Sequence, residues 1–154
     1  MKLDEFQKIW ETKGKNPIEV VKLFLDAALA YEKDQESGGY MVSYLIPEED
    51  CVKDKASPSG LIPNPRGVKY FLDQMAKKPN VVRSYCGGTP KNGYKIDEGR
   101  ISLNIKEKKI SGNKAKIIIQ SSGKDFPTPL ALKRDSKGYW KLSGGISSIA
   151  TGVK

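Results

Sequence analysis

The chain contains no histidine. That removes the commonest general base, the commonest metal ligand and every Ser–His or Cys–His nucleophile pair. Cysteine is nearly absent too: Cys51 and Cys86 are the only two in 154 residues. Two thiols make no disulfide framework, and without histidine they cannot complete a four-ligand zinc site. No apolar run approaches the roughly 20 residues of a membrane span. The opening "MKLDEFQKIW" lacks the apolar core of a signal peptide. These absences predict a cytoplasmic protein with free thiols, no membrane partner, no metal and no cofactor.

What the chain does have is charge, unevenly placed. Residues 1–76 hold 10 basic and 13 acidic side chains, a net of −3, whereas residues 77–154 hold 17 and 5, a net of +12, which together give the formal +9. Such asymmetry marks either an anionic partner or one solvated lysine-rich face. A chain of this length forms one domain, over residues 1–154, with a core that needs no staple.

The hydrophobic period changes once. "LDEFQKIWETKG" spaces Leu3, Phe6 and Trp10 as a short helical stripe. In "NPIEVVKLFLDAALAYEKD", Asn16 is an N-cap, Pro17 suits the first helical position, and Val21, Phe24, Leu25, Ala28 and Tyr31 share a face, which predicts a helix over 17–34. "SGGYMVSYLIP" reads as a shorter helix, residues 48–64 as loop, and "PRGVKYFLDQMAKK" as a third long helix. After Pro79 the period becomes two. "VVRSYC", "RISLNIKE", "KAKIIIQSS", "LALKR" and "YWKLS" read as strands, with a small polar tail. The predicted architecture is α+β: N-terminal helices packed on a curved antiparallel sheet of four to five strands. Val21, Phe24, Leu25, Ala28, Phe71, Leu72, Ile117, Ile119 and Trp140 form the predicted core.

Three stretches carry a resemblance: "NPIEVVKLFLDAALAYEKD", "SYCGGTPKNGY" and "AKIIIQSSGKDFPTPLALKRDSKGYWKL". Together they span most of residues 16–142. The chain resembles an uncharacterised bacterial family, a domain of unknown function. The ending "KGYWKL" resembles the last long strand of nuclear-transport-factor-2-like (cystatin-like) cone folds. Gly87, Gly88, Thr89, Pro90, Asn92 and Tyr94 occupy the family's loop pattern. Gly93 departs from it, and so does Ser-Ser-Gly at 121–123. The resemblance implies a cone fold and brings no activity with it.

Cones of this kind enclose a pocket between helix and sheet. Tyr31, Tyr44, Tyr85, Tyr94 and Trp140 are candidate lining residues, with Asp26, Asp73 or Asp125 as the carboxylate; Tyr85, Tyr94, Trp140 and Asp125 are the ligand-binding candidates put forward. Aromatic residues at these periods are more commonly plain core. Cys86 reads as a structural thiol, since no histidine or evident cation activates it. "GGTPKNG" reads as a turn, because the Gly-Lys-Ser/Thr ending of a phosphate loop is missing. "PEEDCVKD" reads as a solvated acidic loop, its spacing matching no calcium loop. The hairpin "KEKKISGNKAK" sets Lys106, Lys108, Lys109, Lys114 and Lys116 around a tight turn without aromatics or arginine. That composition fits a lysine-protected sheet edge better than a base-reading surface.

The sequence therefore predicts a small non-catalytic binding domain for a protein or small-molecule partner. Nucleic-acid or polyanion binding through the basic half ranks second. A hydrolase or isomerase using a pocket carboxylate ranks third. A homodimer is compatible with the sequence, which does not determine the oligomeric state.

Overall fold

The computed structural model describes residues 1–153. Among them are six α-helices and two antiparallel sheets, one of two strands and one of four. The helices come first: α1 (Leu3–Lys13), α2 (Pro17–Lys33), α3 (Gln35–Ser43), α4 (Val68–Lys77) and the one-turn α5 (Asn80–Arg83). A ribbon, β1 (Cys51–Lys53) with β2 (Leu61–Pro63), is inserted between α3 and α4. The main sheet follows as a meander, β3 (Ile105–Ser111), β4 (Lys114–Ile119), β5 (Thr128–Arg134) and β6 (Trp140–Gly144), in that spatial order. A final turn of helix, α6, covers Ile146–Ile149.

Local chemistry accounts for the long helices. The Asn16 side chain accepts from the amides of Ile18 (2.9 Å) and Glu19 (3.2 Å), with Pro17 at the first helical position. Asp34 ends α2 and caps α3, accepting from Ser37 N at 3.2 Å. The predicted single apolar stripe on α2 understates its burial. Val20, Leu23, Ala27 and Leu29 are buried as well, because α1, α3, α4 and the sheet all pack against this helix. On β4 and β5 burial alternates: Ala115, Ile117, Ile119, Leu130 and Leu132 face the helices, while Lys114, Lys116, Pro129 and Ala131 face outward. Helices thus cover one face of an open sheet. Of the predicted core, every residue is buried except Phe71, which is half-buried.

Three sequence expectations give way here. "VVRSYC" forms α5 and two turns, not a strand. Val81 and Val82 are completely buried, and core packing outweighs the β propensity of a short valine run that finds no strand partner. "RISLNIKE" pairs only from Ile105, which lies opposite Ile119 at the end of β4, and a register shift follows at Glu107. Residues 48–64 are not all loop, since a 3-10 turn at Glu48–Asp50 leads into the ribbon, whose three-residue strands are too short to show alternation. The third long helix also starts later than its Asn-Pro signal. Asn64 accepts from Arg66 N at 3.0 Å and holds residues 64–67 in a turn.

Candidate functional site

The loop "YCGGTPKNGY" closes on itself through side chains. Asn92 N bonds to Thr89 Oγ1 at 3.3 Å while Thr89 N bonds to Asn92 Oδ1 at 2.9 Å, a reciprocal cap around one 3-10 turn. Asn92 Oδ1 also accepts from Lys95 N at 3.2 Å. Gly93 (φ 69°) and Tyr94 (φ 59°) then adopt successive left-handed conformations. Tyr94 is the only non-glycine residue among those described that does so. A tyrosine in this region carries a local conformational cost, sustained only where the surroundings enforce it.

The enforcing partner is the second loop, residues 121–128. Ser122 N donates to Ser84 O at 3.0 Å, and Ser122 Oγ donates to Gly88 O at 2.6 Å. Ser121 Oγ donates to Ser84 Oγ at 2.6 Å, both side chains being buried. Gln120 Nε2 donates to the carbonyls of Ser121 (2.8 Å) and Lys124 (2.9 Å), folding the loop back. Gly123 then meets the Tyr94 hydroxyl so closely that a Cβ there would stand 2.6 Å from it.

Beside this junction lies an open cleft of about 510 Å³, walled by residues 123–128 and by Ser148, Thr151, Gly152 and Val153. Lys124 crosses its base. The Lys124 ammonium donates to Tyr85 Oη (2.8 Å), Ser148 O (2.9 Å) and Ile149 O (3.0 Å), which engages all three of its donors. Lysine only donates, so Tyr85 Oη accepts from it and keeps its own proton for Thr128 Oγ1 at 2.6 Å. Burial pushes the Lys124 ammonium down to about 8. Phe126, at the rim, is 82% exposed, the highest value among the exposed large hydrophobic residues.

Three of the four ligand-binding candidates therefore converge. Asp125 lines the cleft, Tyr85 lies beneath it, and Tyr94 backs Gly123 on its wall. Trp140 does not join them. It pairs with Arg134 at the far end of β5 from Thr128, about 20 Å away at the rise of a strand. There its amide donates to Gly14 O at 2.9 Å, the Arg134 guanidinium covers its ring at 5.4 Å, and it is buried. The neighbouring Tyr139 stacks on Trp10 at 4.1 Å, so this aromatic pair docks α1 onto the sheet. No sequence pattern singles out Lys124 or Phe126. "GKDFPTP" showed only a wide connection, and nothing local reveals that its lysine is half-buried.

The remaining candidates separate. Lys109 faces Lys116 directly across β3–β4, and Lys114 faces Lys133 across β4–β5, all on the outer face. Lys108 lies opposite the buried Ile117 and projects from the other face, and Lys106 sits at the register shift. Asp73 Oδ1 accepts a short hydrogen bond from Tyr31 Oη, and Asp73 Oδ2 accepts from Lys69 Nζ at 2.9 Å. Asp26 borders a cavity of about 270 Å³ together with Leu3, Leu29 and Glu98, and burial pushes its carboxyl up to about 6. Cys86 is buried and its thiol is pushed up to about 12, first by burial and then by the Asp26 carboxylate. Among the described residues no group of three or more His, Cys, Asp or Glu side chains is placed to hold a metal ion. Among the same residues no helix is long and apolar enough to cross a membrane.

Helices on one face of an open antiparallel sheet, with a loop junction forming a cleft at one end, define a small α+β domain. The chain belongs to the family described as Domain of unknown function (DUF6935), whose model matches residues 1–154. No curated protein and no solved structure matches it.

Proposed function

We propose that this is a non-catalytic binding domain and that a protein partner docks an apolar segment in the cleft between residues 123–128 and 148–153. The observation that carries this reading is Tyr94. A non-glycine residue is held in left-handed backbone, and its hydroxyl backs the cleft wall at Gly123. The exposed Phe126 ring at the rim supplies an apolar anchor of the kind that interfaces use. A binding role fits the chemistry available, since the Lys124 donors are all engaged and both thiols are held well above neutral pH. Helices preceding an antiparallel meander support the finer reading of a cone of nuclear-transport-factor-2 type. A bacterial, cytoplasmic setting belongs to the same proposal.

The test is selection of short peptides from a random library against the full chain, followed by amide chemical-shift mapping. Selected peptides should perturb residues 123–128 and 148–153, and Phe126→Ala should weaken binding at least tenfold. Peptides that map elsewhere, or that ignore Phe126→Ala, overturn the proposal.

A second reading, binding of nucleic acid or another polyanion, draws on one observation. Lys109–Lys116 is a like-charge cross-strand pair, which costs stability on a sheet surface, whereas in Lys114–Lys133 the second lysine is already ion-paired with Glu49. An anionic partner would relieve that repulsion.

A further inference from the structure

A cavity of about 230 Å³ lies between α3 and the β1–β2 ribbon, away from the cleft. Its construction begins with the paired glycines of "SGGY". A Cβ on Gly38 would fall 2.4 Å from the Tyr31 backbone, so the missing side chain lets α3 close on α2. A Cβ on Gly39, one residue on, would meet no atom within 4 Å. Although Gly39 is buried, the volume a side chain would take there is empty cavity. Glu36, Gly39 and Tyr40 follow one another at i, i+3 and i+4 and share a face of α3. Across from them the ribbon contributes Ile62 and Pro63, and Tyr31 of α2 closes the wall.

The walls are mainly carbon, whereas the charge is negative. Glu36 and Asp54 line the cavity, and neither forms an ion pair among the described residues. The one cation lining it, Lys69, is held by Asp73 at 2.9 Å and is thereby neutralised. The Tyr40 hydroxyl is pushed up by burial and then by Glu36, Asp54 and Asp34, which is consistent with a local excess of negative charge. Asp54 Oδ1 accepts from Ala56 N at 2.8 Å and Glu36 accepts from the Tyr40 hydroxyl, but neither carboxylate has a cationic partner among the described residues. Aromatic side chains and such carboxylates around an apolar hollow are the elements that hold organic cations.

We infer that the cavity between α3 and the ribbon is a binding site for a small organic cation, an ammonium group carried on an apolar body. The ammonium lies toward Glu36 and Asp54, and the apolar body fills the space over Gly39 against Ile62 and Pro63. This site is independent of the cleft at residues 123–128.

The probe is 2-phenylethylammonium, titrated into the full chain at neutral pH and low salt and followed by amide chemical shifts. Two controls of matched shape, neutral 2-phenylethanol and anionic phenylacetate, isolate the charge. The cation should saturate with shifts centred on residues 35–40 and 62–63 and bind at least tenfold tighter than the alcohol. A Cβ at position 39 meets no atom within 4 Å, and Gly39→Leu places its side chain in the hollow while replacing a poor helix former with a good one, so it should keep the fold and abolish binding. Glu36→Gln and Asp54→Asn should each weaken binding several-fold, and Phe126→Ala should leave it unchanged. Equal binding of the alcohol, or cation binding that survives Gly39→Leu, overturns the inference. So does binding of a lysine-containing peptide without binding of the free amine, which would make this a peptide-docking site.

Discussion

The hydroxyl of Tyr94 occupies the space beside Gly123 so fully that a Cβ on the glycine would stand 2.6 Å from it and 2.8 Å from the Val153 Cβ. The contact joins the two loops that build the cleft and brings the C-terminal segment against them. Gly123→Ala should therefore destabilise the protein by about 1–3 kcal/mol through overpacking. Adding Tyr94→Phe removes the clashing oxygen and should recover part of that loss. Urea unfolding of the two variants checks this, and Gly123→Ala at wild-type stability would show that the junction yields freely.

The two thiols should differ in reactivity, and in the opposite order to the prominence of their loops. Cys86 is 2% exposed and its thiol is pushed up to about 12, while the half-buried Cys51 reaches about 11, in both cases chiefly by burial. Thiolate is the reacting species, so both should be slow towards a disulfide reagent at pH 8, Cys51 the faster. Cys86 should titrate only on unfolding. Rapid labelling of Cys86 in the native protein would contradict its structural role.

Asp26 should make stability depend on pH in the direction opposite to a salt-bridged carboxylate. Burial raises its carboxyl from 3.8 to about 6, so the folded state holds the proton more tightly than the unfolded chain. This contribution is complete below about pH 4 and is lost as pH rises through 6. At neutral pH the half-buried carboxylate opposes folding. Asp26→Asn should stabilise by about 1 kcal/mol at pH 7, a value reduced for solvent screening, and the gain should vanish below pH 4. Urea midpoints measured from pH 4 to 8 test this, and a parallel shift at every pH would exclude Asp26 as the source.

The lysine face discriminates between the two functional readings. If it is a solubility device, duplex DNA and RNA should bind weakly, in the range of about 10⁻⁴ to 10⁻⁶ M, and without preference at physiological salt. The salt slope should fall by about 0.9 for each phosphate contact removed. The expected result is weak binding throughout a salt series. Submicromolar binding at physiological salt, abolished by Lys109→Glu, Lys114→Glu and Lys116→Glu together, would promote the polyanion reading.

Local, periodic and compositional features were legible in the sequence. The Asn16–Pro17 start of α2, the alternation along β4 and the hairpin turn at Gly112 follow from capping and alternation within a few residues, whereas the period change expected straight after Pro79 is delayed until Ile105. The absence of histidine bounds the chemistry whatever the fold. The tertiary structure alone decided how distant segments meet. "VVRSYC" forms the end of α5 and turns instead of a strand because burying Val81 and Val82 outweighed their β preference. The cleft arises where residues 84–94 meet residues 121–128 through Ser84, Ser121 and Ser122, contacts spanning more than thirty residues that no short pattern records. Lys124 looks like any surface lysine until packing half-buries it against Tyr85 and the end of α6. Trp140 has the aromatic character of a ligand residue, and only strand register shows that it stands at the other end of β5. Burial and register are sums over long-range contacts. A chain read residue by residue carries the propensity for each element but not the partner that finally covers it.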